Sequence, residues 1–183
     1  MKKSLYFFLI LLFTSSSCND PKVKPTIDLS LDVKNLPSQE SWNSKVIFSD
    51  SGITKAILYA GHLRVFEKGQ ETLMDDNVKV NFYNHDFKIT SVITSKRGRV
   101  DDVTKDLYAI DSVVAVSDSG TVVTTDELLF RDKDKKILSD KFVTIVSKTE
   151  TIKGYGFISD QDLQNYVVYN ITYISKTDST NGK

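Results

Sequence analysis

Few residues in this chain have the types and spacing that chemistry requires. A zinc site takes three or four nitrogen or sulfur ligands, and the sequence contains two histidines, His62 and His85, and one cysteine, Cys18. His62 lies in an alternating apolar run and His85 in a polar Tyr-Asn-His-Asp turn, so we expect structural or solvated roles for both. The sequence therefore predicts no metal site, and the absence of nucleotide and calcium motifs predicts no other cofactor.

The acidic and hydroxyl side chains do not predict an enzyme either. Glycoside hydrolysis uses two carboxylates, and the sequence offers three adjacent acidic pairs, Asp75-Asp76, Asp101-Asp102 and Asp126-Glu127. Neighbouring residues of a strand point to opposite faces, so the two acids of a pair cannot act together. The serines cluster in Ser-Asp turns, and no Gly-x-Ser-x-Gly motif occurs. A hydrolase of envelope polysaccharide with scattered carboxylates stays as an alternative.

The N-terminus follows the pattern of a bacterial lipoprotein signal. Two lysines precede an apolar run, Leu5–Phe13, which is shorter than the roughly 20 residues that span a bilayer. Three serines then lead to Cys18. We predict that residues 1–17 are cleaved and that Cys18 becomes the lipidated first residue, although Ser15 stands where the usual motif has leucine. The alternative is an ordinary cleaved signal with a stray thiol.

The rest of the chain is predicted to form one tethered domain. Residues 18–41 are rich in proline and polar residues and read as a lipid-anchored tether. Residues 42–175 are long enough for one domain with a hydrophobic core, and residues 176–183 form a polar, disordered tail. The chain has 24 basic and 24 acidic side chains. This balance gives no bulk charge to attract nucleic acid, so no nucleic-acid partner is predicted.

The domain has the sequence pattern of strands throughout. No proline follows Pro37, which permits many ladder-forming strands. Apolar residues recur with period two, as in 78–82, and polar turn segments at 49–52, 67–69, 83–86, 117–120 and 131–136 separate these runs. Residues 159–164 could form a short helix or a turn. The pattern predicts an all-β domain of successive antiparallel hairpins.

Three stretches carry a resemblance to a known family. They read PSQESWNSKVIFSDSGITKAILYAGHL, DSVVAVSDSGTVVTTDELLFRDKDKKILSDKFVTI and ETIKGYGFISDQDLQNYVVYNI. The most specific motifs are Gly120-x4-Thr125-x-Glu127-Leu128 with the later Ser139-Asp140-x2-Val143, and Gly154-x-Gly156-Phe157-x2-Asp160-x2-Leu163. Their order resembles LptC, the periplasmic component of the lipopolysaccharide export ABC transporter, in its Bacteroidetes-type lipoprotein form. The resemblance covers nearly all of residues 37–174.

The resemblance implies an open β-jellyroll like that of OstA and LptA. It also implies a periplasmic protein, lipid-anchored to the inner membrane, that binds lipopolysaccharide. Such a protein passes lipopolysaccharide from the transporter subunits LptB, LptF and LptG to the periplasmic bridge protein LptA. The alternative is a structural or adhesive envelope lipoprotein with a closed β-sandwich core.

The resemblance combined with strand alternation gives candidate site residues. The predicted lipid-binding slot is lined by Ile57, Tyr59, Leu63, Val65, Phe82, Ile89, Ile93, Leu128, Phe130, Phe142 and Val146. Ordinary core packing is the alternative for each of them. Unpaired strands accept an incoming strand, so the expected partner edges are Ser44–Phe48 and Tyr166–Ile174. The edge residues expected to bind the next jellyroll are Tyr166, Val168, Tyr169, Ile171 and Tyr173.

Overall fold

The computed structural model describes residues 36–176, and its regular structure is entirely β. The predicted all-β class is confirmed. The predicted signal peptide, Cys18, nearly all of the tether and residues 177–183 lie outside the described part of the chain. The eleven strands are β1 (Gln39–Asp50), β2 (Ile53–Phe66), β3 (Glu71–Asp75), β4 (Val78–Tyr83), β5 (Ile89–Ser95), β6 (Arg97–Asp101), β7 (Leu107–Ser117), β8 (Val122–Arg131), β9 (Lys136–Val146), β10 (Glu150–Asp160) and β11 (Tyr166–Lys176).

The strands form one antiparallel sheet whose neighbours follow the order of the chain. β3 and β4 lie end to end along β2, because β3 pairs with the second half of β2 and β4 with the first half. β5 and β6 likewise lie end to end between that composite strand and β7. From β7 to β11 each strand pairs with the next one. The predicted succession of antiparallel hairpins is therefore confirmed, and β1 and β11 are the edges.

Each long strand is interrupted near its middle, and the interruptions lie side by side across the sheet. We call this line the crease. Several of its residues adopt a left-handed backbone, with φ between 51° and 76°: Asn43, Asp76, Asn77, Asp111, Ser112 and Gly156. Asn and Asp tolerate this region better than other residues with a side chain. The crease also passes through Gly61, Lys96, Asp126 and Lys141, where the strand registers shift or break.

The crease divides the sheet into two layers that face each other, as in an open jellyroll. The first layer contains residues 39–42, 62–66, 71–75, 97–101, 107–110, 127–131, 136–139, 157–160 and 166–168. The second layer contains residues 44–50, 53–60, 78–83, 89–95, 113–117, 122–125, 142–146, 150–154 and 170–176. The hairpin turns alternate between the two layers and all lie opposite the crease, where they form the rim.

Rows of cross-strand neighbours on the inner faces form the core. In the second layer the register aligns an inner row made of Leu58, Val80, Ile93, Ala115, Val123, Ile145 and Ile152. Each of these side chains is buried, and they join first-layer residues in a single apolar cluster. Burial of a large aliphatic side chain contributes about 1.5–3 kcal/mol, so this row is a major source of stability.

Three local expectations can be compared with the structure. The glycines of β10 lie at register shifts, and a Cβ on Gly154 would collide with the carbonyl oxygen of Asn170, as expected for a bulge with close packing. Residues 161–165 form a turn and not a helix. The sheet begins at Gln39, inside the range assigned to the tether, and its last strand ends at Lys176.

Candidate functional site

A cleft of about 790 Å³ opens between β1, β2 and β4 of the second layer and β6, β7 and β8 of the first layer. This volume lies within the range of sites that bind small molecules, about 300–1,000 Å³. Its apolar wall is formed by Ala56, Val80, Phe82, Val100, Leu107 and Phe130, with Ile47 and Phe48 of the edge strand at the entrance. The cleft therefore offers an apolar interior that continues into the core.

Contacts between the two layers also lie at the rim. The rings of Phe82 and Phe130 lie 4.9 Å apart, and the Ser91 hydroxyl donates to the Gln161 carbonyl oxygen at 2.7 Å. Near the C-terminal edge, the Tyr166 hydroxyl donates to Glu150 Oε1 at 3.4 Å. Burial, together with the nearby Glu150 carboxylate, raises the pKa of Tyr166, so this hydroxyl keeps its proton at neutral pH.

The entrance of the cleft is charged. Three lysines line it, Lys55, Lys105 and Lys135, together with Asp50 and Asp132. The Lys135 ammonium pairs with the Asp132 carboxylate. The cleft thus combines an apolar wall with a cationic entrance, which is an arrangement suited to an amphiphilic ligand.

Six of the predicted lining residues face the interior. Leu63, Phe82, Ile93 and Leu128 belong to the buried cluster, and Val65 and Phe130 pack against it. Only Phe82 and Phe130 of this group line the cleft. Lipid contact by any of them stays a prediction.

Four other predicted lining residues lie outside the buried cluster between the layers, and lipid contact by them also stays a prediction. Ile57 and Tyr59 alternate with Leu58 and Ala60, and neither belongs to the cluster, although Ile57 is buried. At Gly61 the crease changes the positions of β2 that face the cluster from even to odd numbers. Phe142 and Val146 flank the fully buried Val143 and Ile145 and face outward.

Ile89 is the last predicted lining residue, and it also lies outside the buried cluster. It begins β5 beyond a register shift between Phe82 and Tyr83, and 44% of its surface is exposed. The inward position in this strand is taken by the small residue Ser91, which is buried. A bulge cannot be located from apolar spacing alone, and lipid contact by Ile89 stays a prediction.

Sequence reasoning missed several residues of the cleft. Ala56, Val100 and Leu107 line it from inner positions, and Phe48 lines it from the edge strand. The alternation of Val78, Val80 and Phe82 could have identified Val80 as an inward residue. Val80 pairs directly with Leu58. Ala56 gives little signal, because alanine is common on both faces of strands.

Both predicted edges are edges in the structure. β1 pairs only with β2, and β11 only with β10, among residues 36–176. Tyr166 and Val168 pack against the core, whereas Tyr169, Ile171 and Tyr173 are exposed. Ile174 pairs with the inward Ile152 and yet is 53% exposed. The inner surface therefore reaches solvent at β11 as well as at the cleft.

The residues considered for catalysis have structural partners. His62 Nε2 lies 2.6 Å from Glu40 Oε1, and its ring stacks on Trp42 at 5.3 Å. The Asp101 carboxylate accepts the backbone N–H groups of Thr104 and Val103, which lowers its pKa. Within residues 36–176, no three His, Cys, Asp or Glu side chains come together as metal ligands would. In the same range, no helix is long and apolar enough to span a bilayer.

Comparison with family models decides the relationship. Residues 8–173 match the family described as "Lipopolysaccharide-assembly, LptC-related". The chain belongs to the LptC family. LptC proteins take part in lipopolysaccharide transport, are periplasmic and associate with the inner membrane. The family is associated with transport and is not known for enzymatic activity. A comparison with curated proteins finds no match.

Proposed function

We propose that this LptC protein binds lipopolysaccharide between its two layers and passes it from the export ABC transporter to the bridge protein LptA. The observation that carries the proposal is the inner row of the second layer. It crosses the sheet from Leu58 to Ile152 without a charged residue. An acyl chain would meet apolar side chains along this whole path.

The two ends of this apolar row support transfer of a lipid better than storage of a lipid. On one side it meets the cleft, where Phe48 is exposed, and on the other it meets Ile174 of β11, which is also exposed. A protein that only stored a lipid would need one opening. Two openings at opposite edges of one sheet favour passage of the acyl chains across it.

The edge strands supply docking sites in the proposal. Each edge has backbone N–H and C=O groups that can pair with a strand of another jellyroll. In the proposal β1 faces the transporter subunits LptF and LptG, which act with the ATPase LptB, and β11 faces LptA. A lipid on Cys18 holds the domain at the inner membrane.

Photocrosslinking in living cells tests the proposal, and the structure provides a matched control. Phe48 and Phe142 are both phenylalanines and both 40% exposed, but Phe48 lines the cleft and Phe142 lies on the outer face. With a photoreactive residue at each position, we expect a lipopolysaccharide adduct at 48 and not at 142. The adduct should disappear when cellular ATP is depleted.

Equal adducts at the two positions, or no adduct at position 48, would contradict the proposal. The second result would favour the structural or adhesive lipoprotein with a closed core. That alternative draws on the complete burial of Ala115, Val123 and Val143 between the layers.

A further inference from the structure

We infer that the cleft entrance is an anion site that binds the phosphate groups of a lipid whose acyl chains occupy the cleft. The inference rests on the proposed function, because it takes the cleft as the lipid site, and it adds the orientation of the bound lipid. Three lysines carry it, Lys55, Lys105 and Lys135, each of which lines the cleft. Ammonium groups at the entrance of an apolar cleft match a ligand with an anionic head and apolar tails.

Lys55 reaches the cleft because of a bulge. The pairing of β1 with β2 passes from Phe48 and Ala56 directly to Ser49 and Thr54, so Lys55 is the extra residue. A bulge redirects the side chain of its extra residue. The pairing of β2 with β4 ends at Ala56, so Lys55 is also unpaired on that side. Without this bulge, the alternation of the strand would point the side chain at position 55 toward the outer face.

Lys105 and Lys135 lie in two neighbouring turns of the first layer. Each has a left-handed backbone, with φ of 64° and 56°. The Asp132 backbone N–H donates to Asp106 Oδ1 at 2.8 Å, which ties one turn to the other. A left-handed lysine persists only where surrounding contacts hold it, so both positions are fixed by the turns.

Hydrogen bonds within each turn hold it in place. In the first turn, Asp101 Oδ1 accepts the backbone N–H groups of Val103 and Thr104, both at 2.9 Å. In the second turn, the Arg131 guanidinium donates to both oxygens of Asp134, at 2.9 and 2.6 Å. These bonds pre-organise the turns before any ligand binds, which lowers the entropic cost of binding.

The net charge of the side chains at the cleft entrance is positive when ion pairs within the entrance are counted as neutral. Lys135 is paired with Asp132. Asp50 accepts a hydrogen bond from the Ser51 hydroxyl at 3.1 Å. Among the residues that the structure describes, Lys55 and Lys105 have no carboxylate within 4.0 Å. Their ammonium groups are therefore available to phosphate oxygens, with which charged hydrogen bonds are strong.

Binding of two lipids to the purified full-length protein tests the inference. The probes are lipid A with its phosphates and the same lipid A after enzymatic removal of the phosphates. The test variant combines Lys55→Gln, Lys105→Gln and Lys135→Gln. The matched control removes three lysines from the outer face of the second layer, with Lys45→Gln, Lys79→Gln and Lys153→Gln.

We expect the test variant to bind phosphorylated lipid A about tenfold more weakly than the unmodified protein. Its affinity for the dephosphorylated lipid should be unchanged, and the control variant should bind both lipids normally. Equal affinity of the unmodified protein for the two lipids would overturn the inference, and so would an equal loss of both in the test variant. In either case the cleft would still bind lipid, and the proposed function would survive.

Inorganic phosphate is the third probe, because free phosphate presents the same oxygens as a lipid headgroup. Saturable binding of phosphate that the test variant loses, combined with equal affinity for the two lipids, would assign the site to free phosphate and overturn the headgroup assignment. Binding of neither lipid would remove the proposed function itself, and the inference with it.

Discussion

At the residue scale, the acidic side chains that suggest catalysis in the sequence serve the backbone in the structure. Asp76 lies on the crease with a left-handed backbone, and Asp126 lies on the crease between two registers of β8. Asp101 accepts two backbone N–H groups in the turn that follows β6. Carboxylates used in this way shape turns and bends, and two of the three acidic pairs contribute a residue to the crease.

The role of Asp101 predicts a pH-dependent stability. Its pKa is lowered in the folded protein by the N–H groups of Thr104 and Val103, so it stabilises the fold above its unfolded pKa, about 3.9. This contribution is lost as the pH falls through the folded pKa. We expect Asp101→Asn to lower the free energy of unfolding at pH 7 and to have a smaller effect at pH values below about 3.9. Urea unfolding at both pH values measures this difference, and a constant difference would contradict it.

Gly61 predicts a steric effect at the crease. A Cβ at this position would lie 2.5 Å from the Asp76 carbonyl oxygen, which belongs to the backbone and cannot move aside. We expect Gly61→Ala to cost about 1–3 kcal/mol, the usual range for overpacking. Gly69→Ala is the control, since its nearest neighbour is the flexible Glu71 side chain at 3.4 Å. Equal denaturation midpoints for the two variants would show that the crease tolerates a side chain.

At the element scale, the sequence predicted the strands and their order better than it predicted which side chains of each strand point inward. Hairpin order follows from turn residues and apolar runs, both of which are local features. Which residues of a strand point inward changes wherever the regular alternation is interrupted. Gly61 and the bulge before Tyr83 are two such interruptions, and both depend on pairing with other strands. In β9, apolar residues occupy both faces, so the sequence alone does not distinguish the positions that face the core, such as Val143, from exposed ones such as Phe142. The cleft lysines were missed for the same reason, because a bulge and two turns place them.

The exposed inner residues of β11 predict a separable effect on partner binding. Ile171→Lys combined with Ile174→Lys places two charges on the inner surface at this edge, where both side chains are exposed. Charged residues on an edge oppose pairing with a second sheet. We expect weaker capture of LptA but an unchanged lipid adduct at position 48. The control is Phe142→Lys combined with Val146→Lys, which places two charges on the outer face of β9, away from the edge. Equal effects of both variants on LptA would contradict the prediction.

At the scale of the whole molecule, the crease joins two layers that are packed against each other along much of their inner surface. Val123 and Val143 are completely buried there, and protein interiors are close-packed. In the proposed function, acyl chains enter the cleft, and they pass farther only if the layers separate. Separation would disrupt this apolar packing and also the contacts at the rim, which include one aromatic pair and single hydrogen bonds.

Separation of the layers is measurable as a distance between spin labels across the rim. One label replaces Asp86 in a second-layer turn, and the other replaces the exposed Lys133 in a first-layer turn, through Asp86→Cys and Lys133→Cys. We expect lipopolysaccharide to lengthen this distance. A pair at Asp86 and Ser119, both in second-layer turns, is the control and should not change. No lengthening across the rim would mean that lipid stays within the cleft.

The position of the turns has a consequence for how the family can vary. Every connection between the long strands lies at the rim, and none lies at the crease. A longer loop costs little in closure entropy and leaves the pairing of its two strands unchanged. Insertions and deletions in these loops therefore alter the entrance and its charge while the interior keeps its geometry. Such a scaffold can be adapted to lipids with differently sized or charged headgroups by loop length alone.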